Sequence, residues 1–383
     1  MDRVNAGADR PCASGHDPLR VGYLAAVAGL ELATVARLRV LLAHHGPEDA
    51  YLVAAGRLQP HPVVEPMLTG DLRRAWAASA ARRPPEYWAA RCAEAGIGAV
   101  IASDADFPAL LFTDPQPPAV LFHRGDWSTL EPRRVGVIGT RNATGPGHQF
   151  AARLGRELAD AGVSIVSGLA KGIDAAAHRG ALGAERGAVV GVVANGLDSP
   201  YPRQNAQLWE AVAAGGLLLS EWPPGTEPER FRFPLRNRII AALSEIVVVV
   251  ESRERGGSLT TVREALERGI EVMAVPGSVH SRASAGTNQL LRDGAAPVTD
   301  PGDVLLALGL DHRRQPGPAF DPRPLPRGIE AVVLDRCRAD PCTLEHVVSE
   351  LGLSVTEAAM TLARLERSGW VRESGGWFEQ VVA

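Results

Sequence analysis

The chain of 383 residues has a single lysine, Lys171, against 39 arginines, and only four cysteines. Cys12, Cys92, Cys337 and Cys342 never form a C-x-x-C pair, which excludes a disulfide framework or a thiolate metal site and leaves reduced thiols. Long apolar runs are also missing. The densest stretch, residues 246–250, falls far short of the ~18 residues that span a bilayer, and the first twenty residues lack an apolar signal core. The expectation is a cytoplasmic protein with no membrane partner. A net charge of -4 excludes a global basic field, while 45% hydrophobic and 22% charged residues exclude the disordered class. No G-x-x-x-x-G-K-[ST], H-E-x-x-H or G-x-S-x-G segment occurs, and no Cys/His cluster has metal-ligand spacing. No catalytic centre declares itself, and no cofactor is implied.

At ~100–200 residues per domain the length predicts two or three domains. Residues 1–18 mix Gly, Asp, Pro and Ser without periodicity and read as a loose tail. Residues 19–84 carry apolar residues at helical spacing (Leu30, Val35, Leu38, Leu41, Leu42) and read as a small helical domain. From 85 to 310 the rhythm changes. Near-continuous apolar runs at 135–138, 163–166, 189–193, 217–219, 246–250 and 272–275 alternate with helical stretches, as expected of strands buried on both faces. The fold class is therefore α/β, a doubly wound parallel sheet whose ligands bind beyond the carboxyl ends of its strands. Residues 311–327, with five prolines, read as a stiff linker. Residues 328–383 follow the order helix, helix, helix, hairpin of a winged-helix domain, with a capping box at Ser354-Val-Thr-Glu357. Nine acids against five basic residues from Ile329 onward favour a protein-interaction role for this domain over duplex binding.

The loops at the strand ends carry the anion-friendly groups. The first, Gly139-Thr140-Arg141 before Gly145-Pro-Gly147, opens a helix and reads as an anion site, weak when taken alone. The second, 167–174, offers the Ser167 hydroxyl, Gly168 and the sole ammonium, Lys171, whose compact head can approach phosphate without the planar bulk of arginine. Drift at a surface position is an equal reading of that lysine from composition alone. The second strand ends in Ser167-Gly168 rather than an acid, which disfavours a nicotinamide dinucleotide. For Asp174 and His178 a helix-start acid and a packed histidine are the simpler readings. The third loop, 195–205, adds an amide, Tyr201 and Arg203. The fourth segment, 229–238, holds four arginines and one acid with Phe231 and Phe233 between them, a pattern suited to holding and stacking an unpaired strand. Residues 251–261, with Gly257 and Ser258, form a further nest before a helix.

Taken together these segments resemble the DNA-processing protein A family, also called Smf. The resemblance spans about residues 107–308 and rests on Gly139-Thr140-Arg141, the segment 167–174, Tyr201-Pro202 with Asn205, the run 233–240, Gly257-Ser258-Leu259, Ala274-Val275-Pro276-Gly277 and Gly286-Thr-Asn288. It implies an extended Rossmann-like domain that binds single-stranded DNA, forms homodimers and helps load the RecA recombinase during natural transformation or related recombination. Carried over by position, the DNA pocket would comprise Arg141, Ser167, Lys171, Arg236, Asn237, Arg238 and Ser258, with Thr140, Gly168, Arg203 and Gly257 beside them.

Two other readings compete. One is a nucleotide phosphoribohydrolase of the related lysine-decarboxylase-like fold, whose P-G-G-x-G-T-x-x-E signature would fall near Gly256; Leu259 stands at its last glycine position and Arg263 at the glutamate. The other is a noncatalytic sensor of a nucleotide-like ligand. With hydroxyls, amides and cations but no activated nucleophile, binding accounts for the loops better than turnover.

Overall fold

A computed structural model describes residues 17–310, 323 and 326–381. Most of the expected tail at 1–18, Cys12 and nearly all of the expected linker at 311–327 lie outside the described residues. The chain divides into two compact units, Met1–Asp311 and His312–Ala383.

The first unit is built on nine strands: β1 Gly98–Val100, β2 Leu121–Gly125, β3 Arg134–Ile138, β4 Ser164–Ser167, β5 Val189–Val192, β6 Leu217–Ser220, β7 Ile246–Val249, β8 Glu271–Ala274 and β9 Ala296–Pro297. Their order is β1-β2-β6-β5-β4-β3-β7-β8-β9, with β3 to β9 parallel and β1 and β2 antiparallel at one edge. The central strands are Val/Ile/Leu runs because both faces are covered. Helices Gly145–Asp160, Ile173–Leu182 and Ala206–Gly215 contribute Leu154, Ile173 and Trp209 to the core on one face. Helices Arg232–Ala242 and Ser258–Glu267 contribute Ile239, Ile240 and Val262 to the other. The six strands expected from apolar runs are thus present within about a residue at each end.

Five helices, Pro18–Ala28, Val35–His44, Pro47–Ala54, Gly70–Arg82 and Pro85–Ala95, precede the sheet. Their buried Leu24, Trp76 and Trp88 belong to the same continuous core as Val135 and Ile165. Arg91 of the last helix forms an ion pair of 2.6 Å with Asp198, in the loop after β5.

The second unit has helices Ile329–Ala339, Leu344–Leu351 and Val355–Arg367 and a three-stranded sheet, β10 Cys342–Thr343, β11 Val371–Ser374 and β12 Trp377–Gln380. Ser354 and Glu357 complete the capping box expected at the third helix. Leu362, Leu365 and Trp370 sit in a core of its own.

Candidate functional site

The connections from β3 lead through β4, β5 and β6 on one side, and the chain then returns to place β7 against the opposite edge of β3. That reversal opens a crevice beyond the carboxyl ends of β3 and β7. A cleft of about 750 Å³ occupies it, lined by the loop after β3 (Thr140, Arg141), the start of helix Arg232–Ala242 (Phe233, Arg236, Asn237) and the segment after β7 (Arg253, Gly257, Ser258). A smaller pocket of about 50 Å³ adjoins it, shares Arg141, Tyr201, Phe233 and Arg236, and adds Lys171 and Asn195.

Arg236 is the floor of this site. It is 4% exposed and donates from Nη1 to the Gly168 carbonyl at 2.8 Å and to the Val192 carbonyl. It thereby ties together the carboxyl ends of β4 and β5. Burial pulls its guanidinium down to about 10, with buried Asp174 opposing the shift. Asp174 in turn is pushed above the usual carboxylate range by burial, with Arg236 and backbone amides opposing, and its Oδ2 accepts Gly168 N at 3.2 Å. Gly168 has to be glycine because a Cβ there would run into the Arg236 guanidinium. Leu169, fully buried, is held in the left-handed region at φ 53°, and Asn205 Nδ2 donates to its carbonyl at 3.0 Å. The loop bearing Lys171 is therefore fastened from two sides.

Above this floor Arg141, Lys171 and Tyr201 are exposed and Phe233 is half-buried. The Arg141 guanidinium lies over the Phe233 ring, 4.7 Å from its centroid, and Tyr201 meets Phe233 at 5.9 Å. Arg141, Lys171, Arg230, Arg236 and Arg253 line the two cavities against one acid, Asp174. Helix Ser258–Glu267 begins at the cleft with no side-chain cap on its first amides. Ser258 Oγ donates to Ser252 Oγ at 2.8 Å. Guanidinium groups, two aromatic rings and uncapped helix amides in one cleft suit an anionic chain bearing planar groups.

Not every expected residue is there. Arg238 is on the far side of its helix, in a buried ion pair with Glu221 in which both side chains are 5% exposed, and it lines a different cavity. At 100° per residue, positions 236 and 238 differ by about 200°, so one helix cannot turn both toward the same cleft. Phe231 is with Arg238, 57% exposed. Arg203 is exposed on the short turn Arg203–Asn205 and is not among the lining residues of either cavity. The Ser167 hydroxyl is buried and donates to the Val137 carbonyl at 2.6 Å, so it braces β3 against β4 instead of facing the cleft. The start of helix Gly145–Asp160, expected to be an open anion site, is occupied by the Glu251 carboxylate. Arg230 and Arg253 were not singled out by the sequence reading; Arg253, four residues beyond β7 at the switch point, was recognisable by position, and Arg230 by its place ahead of Phe233.

Residues 98–309 match the family model described as DNA recombination-mediator protein A. The chain is 43% identical over 216 residues to a DNA processing protein DprA of Bacillus subtilis (strain 168), covering 56% of this chain and 72% of that one. Among solved structures it resembles DNA processing protein A from Streptococcus pneumoniae, with a TM-score of 0.59 and 31% identity over 76% of this chain and 98% of that one. It also resembles DNA processing protein A from Helicobacter pylori, at TM-score 0.50 and 31% identity over 56% of this chain and 96% of that one. That structure's description concerns a single-stranded DNA binding mode.

Proposed function

Since the chain belongs to the DNA recombination-mediator protein A family, we propose that it binds single-stranded DNA in the switch-point cleft, without sequence preference and without turnover. The observation that carries the reading is the stack of Arg141 on Phe233 beside Tyr201, at the mouth of a cleft with five basic residues and one acid. Arg141, Lys171, Arg230 and Arg253 contact phosphates, Phe233 and Tyr201 stack bases, and the uncapped amides at Gly257 and Ser258 receive a further phosphate. Thr140, Ser167, Gly168, Arg236 and Asn237 shape the floor rather than bearing the load. Binding by the Helicobacter pylori relative supports the same chemistry here. We further propose that the protein acts as a homodimer, passes the bound strand to the RecA recombinase in natural transformation or related DNA processing, and does so in the cytoplasm; no helix among the described residues is long and apolar enough to cross a membrane. The helical segment 19–84, the sheet segment 85–310 and the winged-helix segment 328–383 are proposed as its three domains.

Fluorescence anisotropy of a labelled thymidine oligomer tests this. Four exposed cations, each engaging one phosphate, give log K a slope of about -3 against log salt, since single strands contribute roughly -0.7 per contact. A flat salt dependence contradicts the reading. Release of free base from nucleoside monophosphates would instead establish the phosphoribohydrolase activity.

A further inference from the structure

Helix Gly145–Asp160 opens on the loop after β3, where a nucleotide-binding sheet of this kind receives a phosphate. Here that position is filled from inside. Glu251, two residues beyond β7 and 7% exposed, turns its carboxylate onto the helix start. Oε2 accepts Thr144 N at 2.9 Å, Oε1 accepts the Thr144 hydroxyl at 2.5 Å, and that hydroxyl accepts Gly147 N at 3.1 Å. A Cβ at residue 147 would run into the Glu251 carboxyl, so the glycine supplies the space that the carboxylate fills. The Glu251 carbonyl accepts Thr140 N at 2.7 Å, and the same residue thus holds the strand end that carries Arg141.

We propose that Glu251 is a built-in substitute for phosphate, a specificity-determining residue that occupies the helix start and keeps inorganic phosphate and free nucleotides out of the loop after β3. A fixed negative charge there takes the Thr144 amide and hydroxyl, sits at the favourable end of the helix dipole, and repels a second anion. Ligand phosphates are left the exposed side of the cleft, at Arg141, Lys171 and the start of helix Ser258–Glu267. Those groups line two adjoining cavities, Lys171 in the smaller, the start of helix Ser258–Glu267 in the larger and Arg141 in both. A polymer engages several at once; a mononucleotide does not. This preference for a polymer rests on the single-strand reading above, whereas the occupation of the helix start does not.

The test is thermal unfolding of the full chain titrated with inorganic phosphate. Glu251→Ala vacates the position, and its melting temperature should rise saturably with phosphate, with an apparent affinity at least tenfold above that of the wild type. Glu251→Gln keeps the space filled and should not respond. In Glu251→Ala combined with Gly147→Ala the added methyl refills the space, and the response should be lost. A Glu251→Ala protein no more responsive than wild type overturns the proposal. Should that variant not fold, the wild type decides: phosphate must leave the amide NMR signals of Thr144 and Gly147 unmoved, and a saturable shift there overturns it. If the thymidine oligomer fails to bind wild type while Glu251→Ala still gains phosphate, the single-strand reading falls and the substitution by Glu251 stands.

Discussion

Arg238→Ala separates a structural arginine from the binding ones. In the wild type the Arg238 and Glu221 side chains are each 5% exposed and paired across the back of helix Arg232–Ala242; Arg238 Nη2 donates to Glu221 Oε1, and the buried Oε2 has no hydrogen-bond partner. Removing the guanidinium leaves a carboxylate buried with nothing opposite, which costs about 3–5 kcal/mol. In a unit of this size that is a fall in melting temperature of roughly 5–15 °C. The loss also depends on pH. Burial already pushes Glu221 above the usual carboxylate range, and Arg238 opposes the shift. Without Arg238 the folded-state pKa rises further, so the folded protein holds a proton that the unfolded chain releases. Stability of the variant therefore recovers as pH falls below that raised pKa, is fully regained below the ordinary carboxylate value of the unfolded chain, and is lost again as pH rises through the raised one. Urea unfolding followed by circular dichroism, at neutral and mildly acidic pH, reads the difference. The double variant Glu221→Gln, Arg238→Met, which removes both charges, should regain most of the loss. Anisotropy with the thymidine oligomer, under conditions where the variant is folded, should match the wild type. An Arg238→Ala protein of undiminished stability that binds the oligomer poorly would refute the reasoning and return Arg238 to the phosphates.

The other expectations concern the cleft and the core beside it. Arg141→Ala and Lys171→Ala should each weaken all sequences alike and reduce the salt slope by about 0.7, with melting temperatures unchanged because both side chains are exposed. Loss confined to one sequence would indicate base readout. Phe233→Ala removes the ring under Arg141 and should weaken the oligomer by about 1–3 kcal/mol, measured by anisotropy at constant salt. His178 is fully buried, and burial lowers it to about 4 from its ordinary 6.5. Between those values the unfolded chain binds the proton and the folded one does not, so stability is present above the unfolded pKa and falls by about 3 kcal/mol as pH drops to 4. Urea midpoints across that range check it, and His178→Gln should flatten this component.

The central strands were legible because each is buried on both faces and is written almost wholly in Val, Ile and Leu, for example Ile246–Val249. The antiparallel edge was not. Gly98–Val100 has three residues, and Leu121–Gly125 runs from buried Leu121 to exposed Gly125 through His123 and Arg124, so neither shows a run or a clean alternation. Within the site, Arg141 and Lys171 were legible as residues three and four positions past a strand end, and Ser258 as the start of the helix that follows β7, where this topology gathers ligands. Charge along the segment does not distinguish Arg238 from Arg236, whereas the helical period sets the two on opposite sides of the helix. Glu251 carried no local signal. Its role depends on a glycine 104 positions earlier in the chain and on the pairing of β3 with β7, neither of which a linear motif records.

The most direct test of the cleft as the binding surface is photocrosslinking of a halogenated single-stranded oligomer to the full chain, mapped by mass spectrometry. The account predicts adducts at Tyr201 and Phe233, suppressed in Arg141→Ala, Lys171→Ala protein. Adducts confined to residues 326–381, with Tyr201 and Phe233 unmodified, would contradict it.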